Sequence, residues 1–289
     1  MKHITIILLL LVSSFNLLAQ TPQISWGPTF KQNKNITSHI AGVTDKGFYT
    51  YNKTYYQMMP LKIVDKSIQI QRFNKDMVQT KDGEISLRYK KENRSFERFL
   101  LLDGRLFMFT SYQEKKKRKQ ILLVEQIDLN NLTSKGDPME IGSMPVAEKN
   151  RLGEFQIAIS QDSSKVLAYA NYRGSEGARE RFSCTVFDNR MQELWNIEEE
   201  LPFEDKRFSM DEVKLSNQGE VMISAVKLEL EKKTLFGERT RQSEIHLLLY
   251  LKQGTERQQY VLDLEDRNLE DIQFELSPKG QLICGGLFG

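Results

Sequence analysis

The stretch that decides the architecture is Leu276–Ile283, "LSPKGQLI". An apolar residue enters a tight polar turn, and an apolar pair leaves it. The same figure stands upstream as "LSNQGEVM" from Leu215, "ISQDSSKVL" from Ile159, "LLLDGRLF" from Leu100 and "GVTDKGFY" from Gly42. Matching positions are Thr44, Leu101, Ser160, Ser216 and Ser277, spaced 57, 59, 56 and 61 residues apart. A period near 58 residues held four times marks a repeat architecture, and it outranks any local detail.

Each repeat has the same interior. The third runs "FQIAIS", "KVLAYANY", "FSCTVFD" and "ELWNI"; the fourth runs "DEVKLS", "EVMISAVKL", "SEIHLLLYL" and "RQQYVLDL". The second gives "RFLLL", "RLFMFTSY", "QILLVEQID" and a weaker "MEIGSM", and the first gives "SHIAGV", "GFYTYN", "LKIVD" and "IQIQRF". Short runs of Val, Ile, Phe, Tyr and Trp split by Gly, Asn, Asp and Ser are strands joined by hairpins. No long segment keeps an apolar 3.6-residue period with caps. Four antiparallel strands per unit at a fixed period predict an all-β fold, a β-propeller of four-stranded blades. The repeats fall near 37–94, 95–152, 153–209, 210–268 and 269–289. This makes four blades and two strands of a fifth, so the ring is expected to be incomplete, with residues 20–289 forming part of a longer propeller.

The turns "SPKGQL", "SNQGEV" and "SQDSSKV" resemble the Ser-Pro-Asp-Gly-Lys turn of TolB-like and WD-repeat-like bacterial propellers. The resemblance covers about 250 residues and implies a propeller in which this turn joins the first and second strands of each blade. No Trp-Asp dipeptide closes the third strands, so no binding residue is carried over from it.

The chain begins "MKHITIILLLLVSSFNLLAQ". A basic start, an apolar run from Ile4 to Val12, a polar break and Ala19 follow the order of a secretory signal peptide, expected over residues 1–19. The apolar run is short for a bilayer span. "NLLAQ" is similar to a Gram-negative leader, which implies export to the periplasm or beyond. Hydrophobic residues make up 39% of the chain, and the mean hydropathy of −0.49 suits a water-facing protein with a real core. Removing the leader with Lys2 leaves 40 basic and 39 acidic residues. That balance gives no general attraction to nucleic acid or anionic membrane.

The catalytic inventory is thin. His39 and His246 have no Cys or His at ligand spacing, so no metal is expected, and no cofactor fingerprint is present. No Gly-x-Ser-x-Gly elbow and no His-Glu-x-x-His occurs. Cys184 and Cys284 stand 100 residues apart and read as two small buried strand residues. The acidic run "NIEEELPFEDK" (196–206) reads as a solvated loop between repeats.

The loops between second and third strands carry the functional expectation. They are "NKTYYQMMP" (52–60) with Tyr55 and Tyr56; "YQEKKKRKQ" (112–120) with Lys115, Lys116, Lys117 and Arg118; "YRGSEGARERF" (172–182) with Arg173, Arg179 and Arg181; and "EKKTLFGERTRQ" (231–242) with Lys232, Lys233, Arg239 and Arg241. Equivalent loops emerge on one face of a propeller, so the repeat gathers a basic and aromatic rim. The competing account is a set of ordinary solvated hairpin tips, diluted by interleaved glutamates. A rim of this kind fits an acidic protein or an anionic polysaccharide. The chain therefore reads as an exported binding or scaffold module of the bacterial envelope that acts without catalysis in this segment. The alternative is the propeller domain of a larger hydrolase, peptidase or carbohydrate-active.

Overall fold

The computed structural model describes residue 28 and residues 36–54, 67–146, 153–172, 177–234, 237–263, 269–277 and 281–288. The signal segment, Tyr55, Tyr56 and Arg173 lie outside the described residues.

The first sheet is a meander of β1 (Ile36–Thr44), β2 (Gly47–Thr54), β3 (Ser67–Asn74) and β4 (Gln79–Ser86). A small hairpin of β5 (Arg88–Tyr89) and β6 (Glu92–Asn93) leads to the second sheet. That sheet comprises β7 (Ser95–Leu102), β8 (Arg105–Glu114) and β9 (Lys119–Asp128). Its outer position is split between β10 (Thr133–Ser134) and β11 (Met139–Pro145), which share the far edge of β9. The third sheet is β12 (Glu154–Ile159), β13 (Lys165–Tyr172), β14 (Arg179–Asp188) and β15 (Glu193–Glu204). One 3₁₀ turn, Asp205–Arg207, separates it from the fourth. The fourth is β16 (Phe208–Leu215), β17 (Val221–Thr234), β18 (Gly237–Leu251) and β19 (Glu256–Asp263), and β20 (Leu269–Leu276) and β21 (Leu282–Phe288) form a two-stranded fifth. No α-helix occurs among the described residues.

Side-chain parity explains how the sheets stack. Along β13, Leu167 and Tyr169 join Phe182, Cys184, Val186, Trp195 and Leu201 on one face, against Phe208, Val221, Ile223 and Tyr250 of the fourth sheet. The alternate residues Val166 and Ala168 face the other way, with Ile157 and Phe187, onto Phe107, Phe109, Leu122 and Val124 of the second. In the fourth sheet Met222, Ile245, Leu247 and Leu249 take the opposite face and meet Phe274 of the fifth. Each middle sheet is thus apolar on both faces, because successive strand residues point to opposite sides and both sides are covered. Each buried Leu, Ile or Phe contributes about 1.5–3 kcal/mol. Face-to-face stacking of consecutive four-stranded meanders is blade packing, and the fold is an all-β propeller array.

The first strands of the blades lie side by side. Arg98 of β7 donates to the Ile157 carbonyl of β12 at 2.5 Å, and Lys214 of β16 reaches Glu275 of β20 at 2.8 Å. Gly42 of β1 lies so close to the second blade that a Cβ there would stand 2.6 Å from the Leu101 Cβ.

Four expectations need correction. In the first blade "IQIQRF" belongs to the third strand, and the fourth is Gln79–Ser86, in which only Ile85 is buried. An outermost strand has one free edge and tolerates polar residues, so its pattern is faint. "LKIVD" lies outside the described residues. The turn equivalent to Thr44–Gly47 in the second blade is Leu102–Arg105, one residue later than Leu101. The acidic run is not a loop: β15 continues to Glu204, with Trp195 and Leu201 buried on one side and Asn196, Glu198 and Glu200 exposed on the other. Cys284 is exposed, and only Cys184 is buried.

Candidate functional site

In a four-stranded meander the connections alternate between two edges. The ends of β2, β8, β13 and β17 that lead toward the next strand therefore lie together on one edge of the array. The turns β1–β2, β7–β8, β12–β13 and β16–β17 emerge on the other.

On the first edge, the β8–β9 turn holds Lys115, Lys116, Lys117 and Arg118. Backbone bonds Lys117 N to Glu114 O (3.2 Å) and Arg118 N to Lys115 O (3.3 Å) close it, and Arg118 adopts a left-handed φ of 52°. The Arg118 carbonyl accepts from Val146 N at 2.8 Å, which ties the turn to the chain leaving the blade. Lys115 and Lys116 are exposed. Lys117 pairs with Glu114 at 3.0 Å, but its side chain is 68% exposed and such a pair contributes little.

Beside this turn lies a feature that the sequence reading missed. The β5–β6 hairpin turns through Lys90 and Lys91, both at positive φ (47° and 71°). It lays the Tyr89 ring edge-on to Tyr112 of β8 at 6.3 Å, with Lys90 Nζ 4.9 Å from the Tyr89 ring centre. A hydrogen bond to Tyr89 and the negative charge around it raise the Lys90 pKa, so the ammonium is held. Burial raises the Tyr112 phenol, and the charges of Glu114 and Glu140 add to that.

Arg94 fastens the hairpin. Its guanidinium pairs with Glu125 of β9, and both side chains are almost fully buried at 3% and 2%. Nη1 also meets Thr110 Oγ1 at 3.3 Å, Nη2 donates to the Ser86 carbonyl at 2.7 Å, and the Arg94 backbone donates to Leu87 O at 2.8 Å. The Tyr89 ring lies 5.8 Å from the guanidinium carbon. A buried charge persists only when paired and hydrogen-bonded, so this network fixes the hairpin's position. The only sequence signal was "RYKKEN" between two repeats: an aromatic among charges with no glycine to announce a turn.

The remaining rim residues are distributed differently. Arg179 and Arg181 lie in β14 and pair with the acidic strand beside them. Arg181 meets Glu198 at 2.6 Å and Glu200 at 3.8 Å, Arg179 meets Glu200 at 3.5 Å, and Arg181 stacks 5.6 Å from the Tyr172 ring. Their charge is largely balanced within one sheet. Lys232, Lys233, Arg239 and Arg241 are not on a loop. They sit in a two-stranded arm, because β17 and β18 continue to pair through Leu228–Gln242, Lys232–Arg239 and Thr234–Gly237. Among the described residues the neighbouring strands stop short: β16 pairs with β17 only as far as Lys227, and β19 pairs with β18 only from Glu244. The arm thus extends beyond the blade on the same edge.

At the root of the arm His246 is buried. Its Nε2 meets Glu244 at 2.8 Å, its Nδ1 meets Gln259 Nε2 at 3.0 Å, and the stacked rings of Phe203 and Phe208 stand edge-on to it. Lys227 completes the cluster at 2.5 Å from Glu244. His39 stacks on Tyr51 at 5.2 Å. Among the described residues no group of three or more His, Cys, Asp or Glu gathers as a metal site would require.

No protein-family model and no curated protein matches the chain. Solved structures do. A Penicillium chrysogenum α-L-arabinanase complexed with arabinobiose is 14% identical, over 90% of this chain and 77% of that one, with a TM-score of 0.44. A Fusarium graminearum α-L-arabinofuranosidase with an iminosugar inhibitor is 9% identical over 82% and 68%, with a TM-score of 0.43. A Galerina marginata prolyl oligopeptidase B is 13% identical over 83% and 36%, with a TM-score of 0.32. At these scores no residue role, substrate or activity is carried over.

Proposed function

We propose that the protein is an exported bacterial propeller module that binds an anionic polysaccharide through the edge bearing the β8–β9 turn, the β5–β6 hairpin and the β17–β18 arm. It does so without catalysis in this segment. The observation that carries the reading is the cluster of Tyr89, Lys90 and Tyr112 beside the exposed Lys115 and Lys116. An edge-on tyrosine pair offers apolar ring surface with polar tips, and the lysines supply attraction that acts only in number. The buried Arg94–Glu125 pair holds this surface rigid, which lowers the ordering cost of binding. The turn sequences favour the TolB-like and WD-repeat-like type among propellers, and the leader-like start of the sequence supports export to the periplasm or beyond in a Gram-negative cell.

The test is elution from heparin-agarose. A variant with Lys115, Lys116 and Lys117 all changed to Ser should elute at distinctly lower salt than the parent, with an unchanged melting temperature. Arg118 is kept so that the left-handed turn position is unchanged. Equal elution of the two proteins would end the rim reading.

A carbohydrate-active propeller is the second reading. In its favour, Glu212 and Glu275, from the inner strands of adjacent blades, meet around Lys214. Against it, one ammonium holds both, at 3.4 and 2.8 Å, as a lock between blades would. Burial of Lys214 works downward on its pKa, but the hydrogen bond to Glu275 and the charge of Glu212 outweigh it, so the value stands above the ordinary one. Release of reducing sugar from arabinan, lost in Glu275→Gln, would replace the binding reading with this one.

A further inference from the structure

The opposite edge of the array carries a cavity of about 460 Å³ between the first and second blades. That size falls in the range of about 300–1,000 Å³ usual for small-molecule sites. Its walls come from the β1–β2 and β3–β4 turns on one side and the β7–β8 and β9–β10 turns on the other. Most of its polar groups are already engaged. The Thr44 hydroxyl donates to the Gly47 carbonyl and accepts from Lys46 N, Thr80 is bonded to Arg72, and the Asn74 side chain caps its own turn through Asp76 and Val78.

What is left over defines the chemistry. Arg72 spans the cleft: its Nε donates to Thr80 Oγ1 at 3.0 Å, and Nη1 donates to the Leu129 carbonyl of the next blade at 3.3 Å. Its Nη2 has no partner among the described residues. The same holds for Lys46 Nζ, the hydroxyl of Tyr49, which is 7% exposed, and the side-chain amide of Asn130. The Arg72 charge is felt at Tyr49: burial raises the phenol pKa and the guanidinium works against it. Asp45, exposed at the turn, is the single carboxylate among the lining residues.

The geometry points to a binding site for a monosaccharide-sized anion that also carries hydroxyls, a hexuronate in chemical class. Its carboxylate would take Arg72 Nη2 and Lys46 Nζ, and its ring hydroxyls would take the Tyr49 hydroxyl and the Asn130 amide. The guanidinium is fixed on both blades before the ligand arrives, so little side-chain entropy is lost when it binds. The site is separate from the lysine edge and does not depend on it.

The experiment is calorimetric titration of the full chain with galacturonic acid, with galactose and acetate as controls. Galacturonate should bind saturably and about tenfold or more tightly than either control, since a charge-assisted hydrogen bond contributes about that factor or more. Arg72→Gln should weaken it about tenfold or more. Lys46→Ser, on an exposed turn, and Tyr49→Phe should each weaken it while the fold persists, so the test survives a destabilised Arg72 variant. The Lys115, Lys116 and Lys117 triple variant should bind galacturonate as the parent does. No saturation by galacturonate, or equal affinity in the parent and in Lys46→Ser and Tyr49→Phe, overturns the proposal.

Discussion

At the residue scale the decisive group is Arg94. Lysines at a hairpin tip can be read directly from sequence, because five cations in a row, Lys115 to Lys119, have nowhere to go but solvent. Arg94 could not be read. Its partner Glu125 lies 31 residues away on another strand, and nothing in the local pattern says that a charge pair is buried. Removing one member leaves the other charge buried and uncompensated, at a cost of about 3–5 kcal/mol. Arg94→Ala should therefore lower the urea midpoint sharply, and Arg94→Met with Glu125→Leu should recover most of the loss. An Arg94→Ala protein as stable as the parent would contradict the burial of the pair. Glu244 gives a pH prediction. The hydrogen bond from Lys227 lowers its pKa, burial works upward against that, and His246 adds to the lowering. A carboxylate depressed in the folded state contributes stability that is full above its ordinary range and is lost as pH falls through the folded value. Melting temperature against pH should fall less steeply on the acid side in Glu244→Gln than in the parent. The cysteines differ too: burial pushes the Cys184 thiol far up, whereas Cys284 is exposed. A thiol reagent should modify one cysteine in the native protein and two in denaturant.

At the scale of the element, period-2 alternation made most strands legible and also explains the misreadings. Strands covered on both faces, such as β8 and β13, show as continuous apolar runs. The acidic run in β15 resembles a loop by composition, and only the alternation of its charges with Trp195, Ile197, Leu201 and Phe203 marks it as a strand. The β17–β18 arm was hidden for a related reason. Lys and Glu suit a strand that no neighbour covers, so composition alone looks like a loop. Among the described residues the arm pairs only with itself beyond Lys227 and Glu244. Replacing residues 229–241 with a short turn should thus leave the far-ultraviolet dichroism of the blades intact and move the melting temperature by only a few degrees. Loss of cooperative unfolding would show that the arm is part of the core.

At the scale of the whole molecule the repeat was the signal, and it was strong because each blade must present the same two faces to its neighbours. Interactions at one period make this concrete: Arg72 to Leu129, Arg98 to Ile157 and Lys214 to Glu275 are separated by 57, 59 and 61 residues. Sequence could not say which polar groups would converge between blades, since the Arg72 cavity forms only when two repeats are stacked. The same stacking places the described ends of the second and third strands of each blade on one edge, and the proposed function depends on it. The most direct test is a double-mutant cycle at Gly42 and Leu101, whose contact exists only if the first two blades pack face to face. Gly42→Ala should destabilise the protein by about 1–3 kcal/mol through overpacking. Adding Leu101→Gly, which removes the Leu101 Cβ and the atoms beyond it, should make room for the new methyl, so the double variant should be more stable than the sum of the single changes predicts. Simple additivity would mean that the two residues do not touch, and would contradict the blade stacking on which the rest depends.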